Sequence, residues 1–284
     1  MQAPSPLHEG GAGVVYDFSE SVVLVTGAAR GMGRDLARRF AGFGASVVAG
    51  DVSAPVGALG YDVATGDDLD ETVDEIRAAG GEALAVRADV RDEEQVEALV
   101  AETVSSYGRV DVLVNNAGVY TGAPLTELTE AEWDAAIDTN LKGPFLCAKH
   151  AARDMIERGG GGRVITVSST SALVGIPNQA SYQASKHGVV GLTRTLALEL
   201  APHGITVNTV CPTVVHTPML DHLMELGQAY FQEVGRLCGA STVFPGLDAL
   251  DVRDVSEAVL WLASPAARYV TGIALPVDGG FTCK

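Results

Sequence analysis

The chain reads Val22-Val23-Leu24-Val25-Thr26-Gly27-Ala28-Ala29-Arg30-Gly31-Met32-Gly33 just before its first amphipathic segment. The run up to Thr26 is apolar and β-branched, as in a buried parallel strand, and the glycines follow where the backbone must turn into a helix. Such a turn presents bare amides at a helix N-terminus, where a pyrophosphate binds. Leu36 stands where a GxGxxG fingerprint has its third glycine. Two interpretations follow: a dinucleotide-binding turn and an ordinary strand-to-helix turn.

Short β-branched runs alternate with amphipathic stretches along the rest of the chain, which is the pattern of repeated βαβ units. It predicts an α/β fold, a single-domain, doubly wound parallel sheet of about seven strands with helices on both faces. We expect strands at Val22–Thr26, Ser46–Gly50, Glu82–Arg87, Val112–Asn115, Arg163–Val167, Thr206–Val210 and Gly272–Pro276. We expect helices at Gly33–Phe43, Asp67–Ala79, Glu93–Tyr107, Glu130–Arg158, Gln179–Ala201 and Asp254–Ala263.

Three segments depart from this alternation. Residues 1–17 are rich in Gly, Pro and Ala without periodicity, so they are expected to form a flexible extension ahead of a domain at 18–284. Residues 52–66 and 214–250 interrupt the pattern after the second and sixth strands. Ligands are bound at the carboxyl ends of parallel strands, so both segments are expected to border the site.

Composition excludes several classes of partner. The formal net charge of −17 opposes binding to nucleic acid or to an anionic membrane. The chain shows no export signal and no apolar run long enough to span a bilayer. No spacing matches a metal site, so we expect His216, Asp221 and His222 to form a polar loop edge rather than a metal cluster. We expect a cytoplasmic protein with free thiols at Cys147, Cys211, Cys238 and Cys283.

Asp51 ends the second strand, eighteen residues after Gly33. A carboxylate there accepts hydrogen bonds from ribose hydroxyls and repels a 2′-phosphate, which favours NAD over NADP. Arg30 argues the other way, since a guanidinium pairs with phosphate. Asp89, after the third strand, is a candidate to bind the adenine edge or to cap the helix that starts near Asp92.

Tyr182 and Lys186 are four residues apart in an expected helix, so they share one face. A nearby ammonium favours the phenolate, which suits general acid/base chemistry, although surface pairs have the same spacing. Ser169 and the Asn115-Asn116-Ala117-Gly118 run follow neighbouring strands at the same sheet edge. Asn140 adds a polar side chain where a core residue is expected.

Together these residues resemble the classical short-chain dehydrogenase/reductases, over about Val22 to Gly280. The matching motifs are Thr26-Gly27-(x)3-Gly31-x-Gly33, Asn115-Asn116-Ala117-Gly118, Asn140, Ser169, Tyr182-(x)3-Lys186 and Val277-Asp278-Gly279-Gly280. The resemblance implies a Rossmann-like domain, usually a homotetramer, that transfers hydride between a nicotinamide and a carbinol or carbonyl carbon.

The resemblance also implies residue roles. Tyr182 is the acid/base, Ser169 holds the substrate oxygen, Lys186 lowers the pKa of the tyrosine and binds the nicotinamide ribose, and Asn140 anchors a relay water. Ser168 is the alternative serine, but the family interval to the tyrosine favours Ser169. The implied cofactor residues are Gly27, Arg30, Gly31, Met32, Gly33, Asp51, Asp89, Val90, Asn116, Ala117, Gly118, Tyr182, Lys186, Pro212, Thr213, Val215 and Thr217. The family commonly has Pro-Gly where this chain has Pro212-Thr213.

A narrower resemblance lies in the two irregular segments. Asp51-Val52-Ser53-Ala54-Pro55-Val56 with Tyr61-(x)2-Ala64-Thr65, and Cys211-Pro212-Thr213-Val214-Val215-His216-Thr217-Pro218-Met219, look like carveol dehydrogenase-like, mycofactocin-coupled short-chain dehydrogenases. That subfamily's insertion implies that residues 52–66 cover the adenosine half of NAD. NAD would then stay bound between turnovers and be reoxidised in place by a peptide-derived carrier of the mycofactocin type. Val214 and His216 depart from the subfamily's usual loop.

Residues 214–250 are expected to form a lid over the substrate. Its apolar side chains recur at helical spacing, which fits simple packing or a hydrophobic substrate such as a terpenoid secondary alcohol: Met219, Leu220, Leu223, Met224, Leu226, Tyr230 and Phe231. We therefore expect an alcohol dehydrogenase or ketone reductase that acts on CH–OH donors with NAD. The alternatives are an NADPH-dependent 3-oxoacyl reductase, opposed by Asp51 and by a lid whose one basic side chain is Arg236, and a non-catalytic dinucleotide-binding regulator.

Overall fold

A computed structural model describes residues 15–52, 56–57, 59, 61, 63–225, 236–239 and 242–283, without the side chains of residues 222, 223 and 225. Most of the expected extension at 1–17 lies outside the described residues, as do parts of the insertion at 52–66 and of the lid at 214–250. Among the apolar lid side chains, those of Leu223, Leu226, Tyr230 and Phe231 also lie outside them.

The described residues form one seven-stranded parallel sheet, in the order β3-β2-β1-β4-β5-β6-β7. The strands are β1 Val22–Thr26, β2 Ser46–Asp51, β3 Glu82–Arg87, β4 Val112–Asn115, β5 Gly162–Val167, β6 Ile205–Pro212 and β7 Ala274–Val277. This confirms the expected doubly wound sheet. The chain order reverses between β1 and β4, and such a switch point is where an open α/β sheet leaves a crevice for a ligand.

Helices cover both faces of the sheet. They are α1 Gly31–Gly42, α2 Gly66–Ala78, α3 Glu93–Tyr107, α4 Glu130–Ile137, α5 Gly143–Arg158, α6 Ala180–Leu200, α7 Pro218–Glu225 and α8 Val252–Ala263. Alternate residues of β1 enter two cores: Val23 and Val25 pack with α1, α2 and α8, whereas Leu24 packs with α3, α5 and α6. No helix in the described ranges is long and apolar enough to cross a membrane.

The expected helix Glu130–Arg158 is helical throughout and its two ends are confirmed, but it is not one regular α-helix. Between α4 and α5 the residues Asp138–Lys142 form a widened π-helical turn, in which the Gly143 N–H reaches the carbonyl five residues back, at Asp138. Pro144 explains this π-helical turn, which was not predicted from the sequence. It has no N–H, so an α-helical hydrogen bond to the carbonyl of Asn140 cannot form.

Several other expected boundaries move by one or two residues. Strand β6 runs on to Pro212 because its last residues pair with β7, where Pro212 lies opposite Val277. Strand β7 begins at Ala274 rather than Gly272, which has a φ of 75°. At the other end, the Tyr16 ring packs edge-on against Phe43, with ring centres 5.4 Å apart, so the chain contacts the domain from Tyr16 onward.

Candidate active site

The turns after β1 and β4 are joined into one platform at the carboxyl edge of the sheet. The Nδ2 atom of Asn116 donates to the carbonyls of Thr26, at 3.1 Å, and Gly27, at 3.0 Å. A Cβ on Gly27 would lie 2.7 Å from the Cα of Ala117, and a Cβ on Gly33 would collide with the Gly27 carbonyl. Glycine is therefore required where these backbones meet.

Helix α1 presents its first turn to this platform. Arg30 occupies the N-cap position, and its guanidinium has only donors, so it cannot cap the exposed amides. The first turn carries no acidic residue. These amides and the positive end of the helix dipole are therefore directed toward an anion in the crevice. Thr217 lies over the same turn, close to Gly31.

Asp51 closes the adjacent corner of the crevice. Its Oδ2 accepts the Ala29 N–H at 2.8 Å and its Oδ1 accepts the Val52 N–H at 2.7 Å. Burial raises the pKa of Asp51, and these hydrogen bonds and the charge of Arg30 offset this only in part. A carboxylate has about four acceptor positions, so each oxygen can accept a further hydroxyl.

The Asp89 carboxylate binds the guanidinium of Arg91 and does not cap a helix. Arg91 Nε donates to both carboxylate oxygens, at 2.9 and 3.0 Å, and its Nη2 donates at 2.6 Å. Burial raises the pKa of Asp89, but the bonds and charge of Arg91 outweigh it and the pKa lies below its usual value. The N-cap of α3 is Asp92, so the alternative that Asp89 caps this helix is wrong.

The described part of the insertion forms the outer wall of the crevice. The phenol oxygen of Tyr61 accepts the backbone N–H of Tyr120 at 2.9 Å, although the two residues are 59 positions apart in the sequence. Burial raises the pKa of Tyr61. The other insertion residues on this wall are Val52, Val56, Val63 and Ala64.

Lys186 and Tyr182 lie on one face of α6. The Nζ atom of Lys186 is 5.5 Å from the centre of the Tyr182 ring and donates to the carbonyl of Val167 at 3.1 Å. Lys186 is 5% exposed, and this burial lowers its pKa to about 8. Tyr120 also packs against Tyr182, with the two ring centres 5.2 Å apart.

Asn140 lies in the π-helical turn with its side chain fully engaged. Its Oδ1 accepts the Val119 N–H at 2.8 Å, and its Nδ2 donates to the Val119 carbonyl at 2.9 Å. The same Nδ2 donates to Ser185 Oγ at 3.2 Å, and Ser185 donates to the carbonyl of Tyr182 at 2.7 Å. Asn140 thus ties the loop after β4 to the helix that carries Tyr182.

The two adjacent serines after β5 have different surroundings. Ser168 is buried and its Oγ donates to the Lys186 carbonyl at 3.3 Å. Ser169 is half-buried and its Oγ accepts the Ser171 N–H at 3.1 Å, at the start of a short 3₁₀ turn. Cys211 lies behind both, and burial raises the pKa of its thiol to about 11.

This chain is similar to proteins of known family. A family model described as enoyl-(acyl carrier protein) reductase matches residues 27–282. The (−)-trans-carveol dehydrogenase of Rhodococcus erythropolis is 39% identical over 273 residues, covering 93% of this chain and 98% of that protein. An uncharacterized NAD-dependent oxidoreductase of Mycobacterium tuberculosis is 39% identical over 265 residues, which cover 91% of this chain and 94% of that protein. The crystal structure of carveol dehydrogenase from Mycobacterium avium in complex with NAD has a TM-score of 0.87 at 37% identity, covering 95% of this chain and 100% of that one.

The chain belongs to the short-chain dehydrogenase/reductase family. It is an oxidoreductase of that family. The resemblance inferred from the motifs is thereby confirmed, and so is the single-domain Rossmann-like fold.

Two buried oxygens test whether the crevice of this short-chain dehydrogenase/reductase fits NAD. Oδ1 of Asn116 and Oγ1 of Thr139 have no hydrogen-bond partner among the described residues, and both residues line the crevice. Buried polar atoms are rarely left unpaired, so a ligand bearing polar groups is expected against them. With the α1 amides for a pyrophosphate and Asp51 for a ribose, the residues present fit NAD.

Most of the expected cofactor residues come together on this wall. They are Gly27, Arg30, Gly31, Met32, Asp51, Asp89, Val90, Asn116, Ala117, Gly118 and Thr217. In the described part of the chain the other six lie off the wall: Gly33 under the turn, Tyr182 and Lys186 on α6, Pro212 within the sheet, Thr213 donating to Val277, and Val215 buried opposite Leu250. Sequence reasoning missed Ala88, Arg91, Val119, Thr139, Pro218 and Met219, which also line the crevice.

In the described residues of this family member, no group of three or more His, Cys, Asp or Glu side chains is placed to hold a metal ion. The side chain of His222 lies outside those residues.

Proposed function

We propose that the protein is an NAD-dependent dehydrogenase that interconverts a hydrophobic secondary alcohol, of the terpenoid kind, and its ketone. The observation that carries this proposal is the placement of a buried Lys186 ammonium beside the Tyr182 ring, next to a crevice that fits NAD. When bound, NAD supplies the acceptor for the hydride that leaves the carbinol carbon.

Tyr182 is the general base in the oxidation direction and the general acid in reduction. The substrate hydroxyl is held between the Tyr182 phenol and the Ser169 hydroxyl, and Tyr182 takes its proton as the carbonyl forms. The Lys186 ammonium favours the phenolate because it places a positive charge nearby in a poorly hydrated site. Ser168 is not suited to hold substrate, since its hydroxyl is buried against the backbone of α6.

Asn140 is proposed to hold the relay water through its backbone carbonyl. Its side-chain amide already donates both of its hydrogens, to Val119 and Ser185. Pro144 removes the N–H that an α-helix would direct at the Asn140 carbonyl. We therefore propose that this carbonyl accepts a hydrogen bond from a water that exchanges protons with Lys186.

The substrate class rests on the lid. Its basic content is a single arginine, Arg236, against acids at Asp221, Glu225, Glu233 and Asp248, so a phosphorylated substrate would be repelled. Four of its described apolar side chains are exposed in the isolated chain: Met224, Leu237, Val243 and Phe244. A hydrophobic substrate under the lid would bury these apolar side chains favourably, whereas a sugar would not.

Retention of NAD, a redox carrier and assembly extend the proposal. Described residues of the insertion line the crevice, and Tyr61 among them is hydrogen-bonded to the Tyr120 backbone, which supports a cofactor that stays bound and is reoxidised by a mycofactocin-type carrier.

Exposed apolar residues on α5 and α6 support burial against further copies in a homotetramer: Phe145, Ile156 and Leu198. The four cysteines are free, which agrees with a reducing cytoplasm.

The test compares the wild-type protein with Tyr182→Phe and, as a control, Tyr107→Phe, which removes a hydroxyl at the far end of α3. NADH and NADPH affinities and turnover of carveol, a sugar alcohol and a 3-hydroxyacyl thioester are measured. We expect preference for NADH and carveol, and a loss of about 100- to 10,000-fold in kcat for Tyr182→Phe alone. More than a tenth of wild-type turnover in that variant contradicts the assignment of Tyr182.

A further inference from the structure

Three consecutive residues after β4 are each tied to a different part of the site. Val119 is held by Asn140 through both its N–H and its carbonyl. The Tyr120 N–H is held by the phenol of Tyr61 in the insertion. Thr121 Oγ1 is 2.7 Å from the hydroxyl of Ser181, the residue just before Tyr182 in α6. This short segment therefore bridges the insertion and the helix of the acid/base.

Tyr120 is the point at which the bridge touches Tyr182 directly. Its side chain is 4% exposed and its ring lies 5.2 Å from the Tyr182 ring, centre to centre, at an interplanar angle of 55°. Lys186 lies over the Tyr182 ring at 5.5 Å. A displacement of Tyr120 would consequently change how far the Tyr182 phenol lies from the Lys186 charge.

The Tyr61 hydroxyl has a role that packing alone does not require. A phenylalanine would fill the same space, but it has no oxygen to accept the Tyr120 N–H. That N–H belongs to a buried residue, and a buried backbone donor without a partner is costly. The bond therefore favours the arrangement in which the insertion lies over the crevice and Tyr120 is held against Tyr182.

We propose that Tyr61 is a positioning residue that couples its own part of the crevice wall to the placement of Tyr182, with Tyr120 as the link between them. The inference rests on the proposed NAD-dependent function and deepens it. The Tyr61 hydrogen bond holds that part of the wall in place and supports the acid/base geometry, so its loss is expected to weaken both cofactor retention and the chemistry.

A double-mutant cycle with Tyr61→Phe and Tyr120→Leu tests the coupling. Tyr61→Phe cuts the hydrogen bond, whereas Tyr120→Leu keeps the backbone N–H and removes the ring that contacts Tyr182. For each protein two rates are measured: release of prebound NADH into excess NAD, followed by fluorescence, and single-turnover reduction of bound NAD by carveol across a range of pH.

Tyr61→Phe is expected to speed NADH release about 3- to 10-fold, slow the single turnover and move its pH midpoint upward, because Tyr182 drifts from the Lys186 charge. Tyr120→Leu is expected to slow the single turnover and move the midpoint in the same direction, with NADH release unchanged. In the Tyr120→Leu background, Tyr61→Phe should still speed release but should no longer affect the single turnover.

The controls separate this inference from the function on which it rests. Tyr107→Phe should match the wild-type protein in both rates, and thermal unfolding of every variant identifies any that is misfolded. If Tyr61→Phe releases NADH at the wild-type rate, or slows the single turnover equally in both backgrounds, the coupling is refuted. If the wild-type protein itself neither binds NADH nor oxidises carveol, the proposed function fails instead.

Discussion

The ammonium of Lys186 lies 5.5 Å from the centre of the Tyr182 ring, and apart from its hydrogen bond to the Val167 carbonyl it is surrounded by buried side chains and backbone. Burial lowers the pKa of Lys186 from 10.5 to about 8. The charge that we propose favours the Tyr182 phenolate is thus held against a desolvation cost, so Lys186 is expected to destabilise the fold.

Replacing this lysine is expected to stabilise the protein. The folded-state pKa lies below the unfolded value, so the charged form is disfavoured on folding below about pH 8, by about 3 kcal/mol. This cost fades as the pH rises toward 10.5. Allowing for the lost bond to Val167, Lys186→Met should raise the free energy of unfolding by about 1 to 2 kcal/mol near neutral pH. Urea denaturation without added cofactor measures it, and turnover should be lost.

The matched control is Lys142→Met, because Lys142 is exposed and paired with Asp138 one helical turn away. It should leave the unfolding free energy nearly unchanged, since exposed pairs contribute little. The gain from Lys186→Met should also shrink as the pH is raised to about 10. A gain that is independent of pH would mean that better packing of methionine, and not relief of a buried charge, is responsible.

The fold could be predicted because its signals are local. Each strand is a short β-branched run, so Val22–Thr26 was placed correctly from composition and flanking glycines alone. The π-helical turn at Asp138–Lys142 was not predicted because the apolar periodicity is continuous through it, and the deciding signal is one missing N–H, at Pro144. Strand β6 was cut short because its last pairs depend on β7, which is distant in sequence.

The candidate site could be predicted only where motifs mark it. The crevice residues Gly27, Asp51 and Asn116 carry family spacing, and they do come together. Tyr61 was contained in an insertion, but nothing in its spacing shows that its phenol reaches the Tyr120 backbone 59 residues later. The pairing of Asp89 with Arg91 was missed for a similar reason, because a carboxylate that precedes a helix fits the pattern of an N-cap equally well.

Asp51 is expected to set the preference for NAD through its charge. Asp51→Asn keeps an oxygen to accept the Ala29 N–H but no longer repels a 2′-phosphate, so discrimination against NADPH should fall about 10- to 100-fold. Binding titrations with NADH and NADPH measure it. Because burial raises the pKa of Asp51, the wild-type protein should also lose discrimination as the pH falls, whereas Asp51→Asn should not.

Asp89→Asn is the control for this charge effect, because Arg91 already neutralises Asp89 on the same crevice wall. It should alter NADH and NADPH affinity alike and leave their ratio unchanged. An equal loss of discrimination in both variants would show that the general electrostatic potential of the crevice, rather than the position of Asp51, selects the cofactor.

Gly33→Ala is expected to abolish cofactor binding. Its Cβ would collide with the Gly27 carbonyl and lie 2.6 Å from Asn116 Nδ2, so the platform that joins the turns after β1 and β4 would have to open. Gly42→Ala, at the last residue of the same helix, meets nothing within 4 Å. It should leave NADH binding intact and stabilise α1 by up to about 1 kcal/mol. NADH titration and thermal melting of the two variants give the comparison.

Pro144→Ala tests the proposed water site at the Asn140 carbonyl. Alanine supplies an N–H at α-helical spacing, and this donor competes with water for that carbonyl. We expect kcat to fall about 10-fold, with a larger solvent deuterium isotope effect because proton release becomes limiting, and with NADH affinity unchanged. Pro265→Ala, in the exposed turn after α8, controls for the loss of a proline ring and should do neither. If Pro144→Ala lowers kcat without changing the isotope effect, the loss comes from repacking around α5, and the relay water must be held by another group.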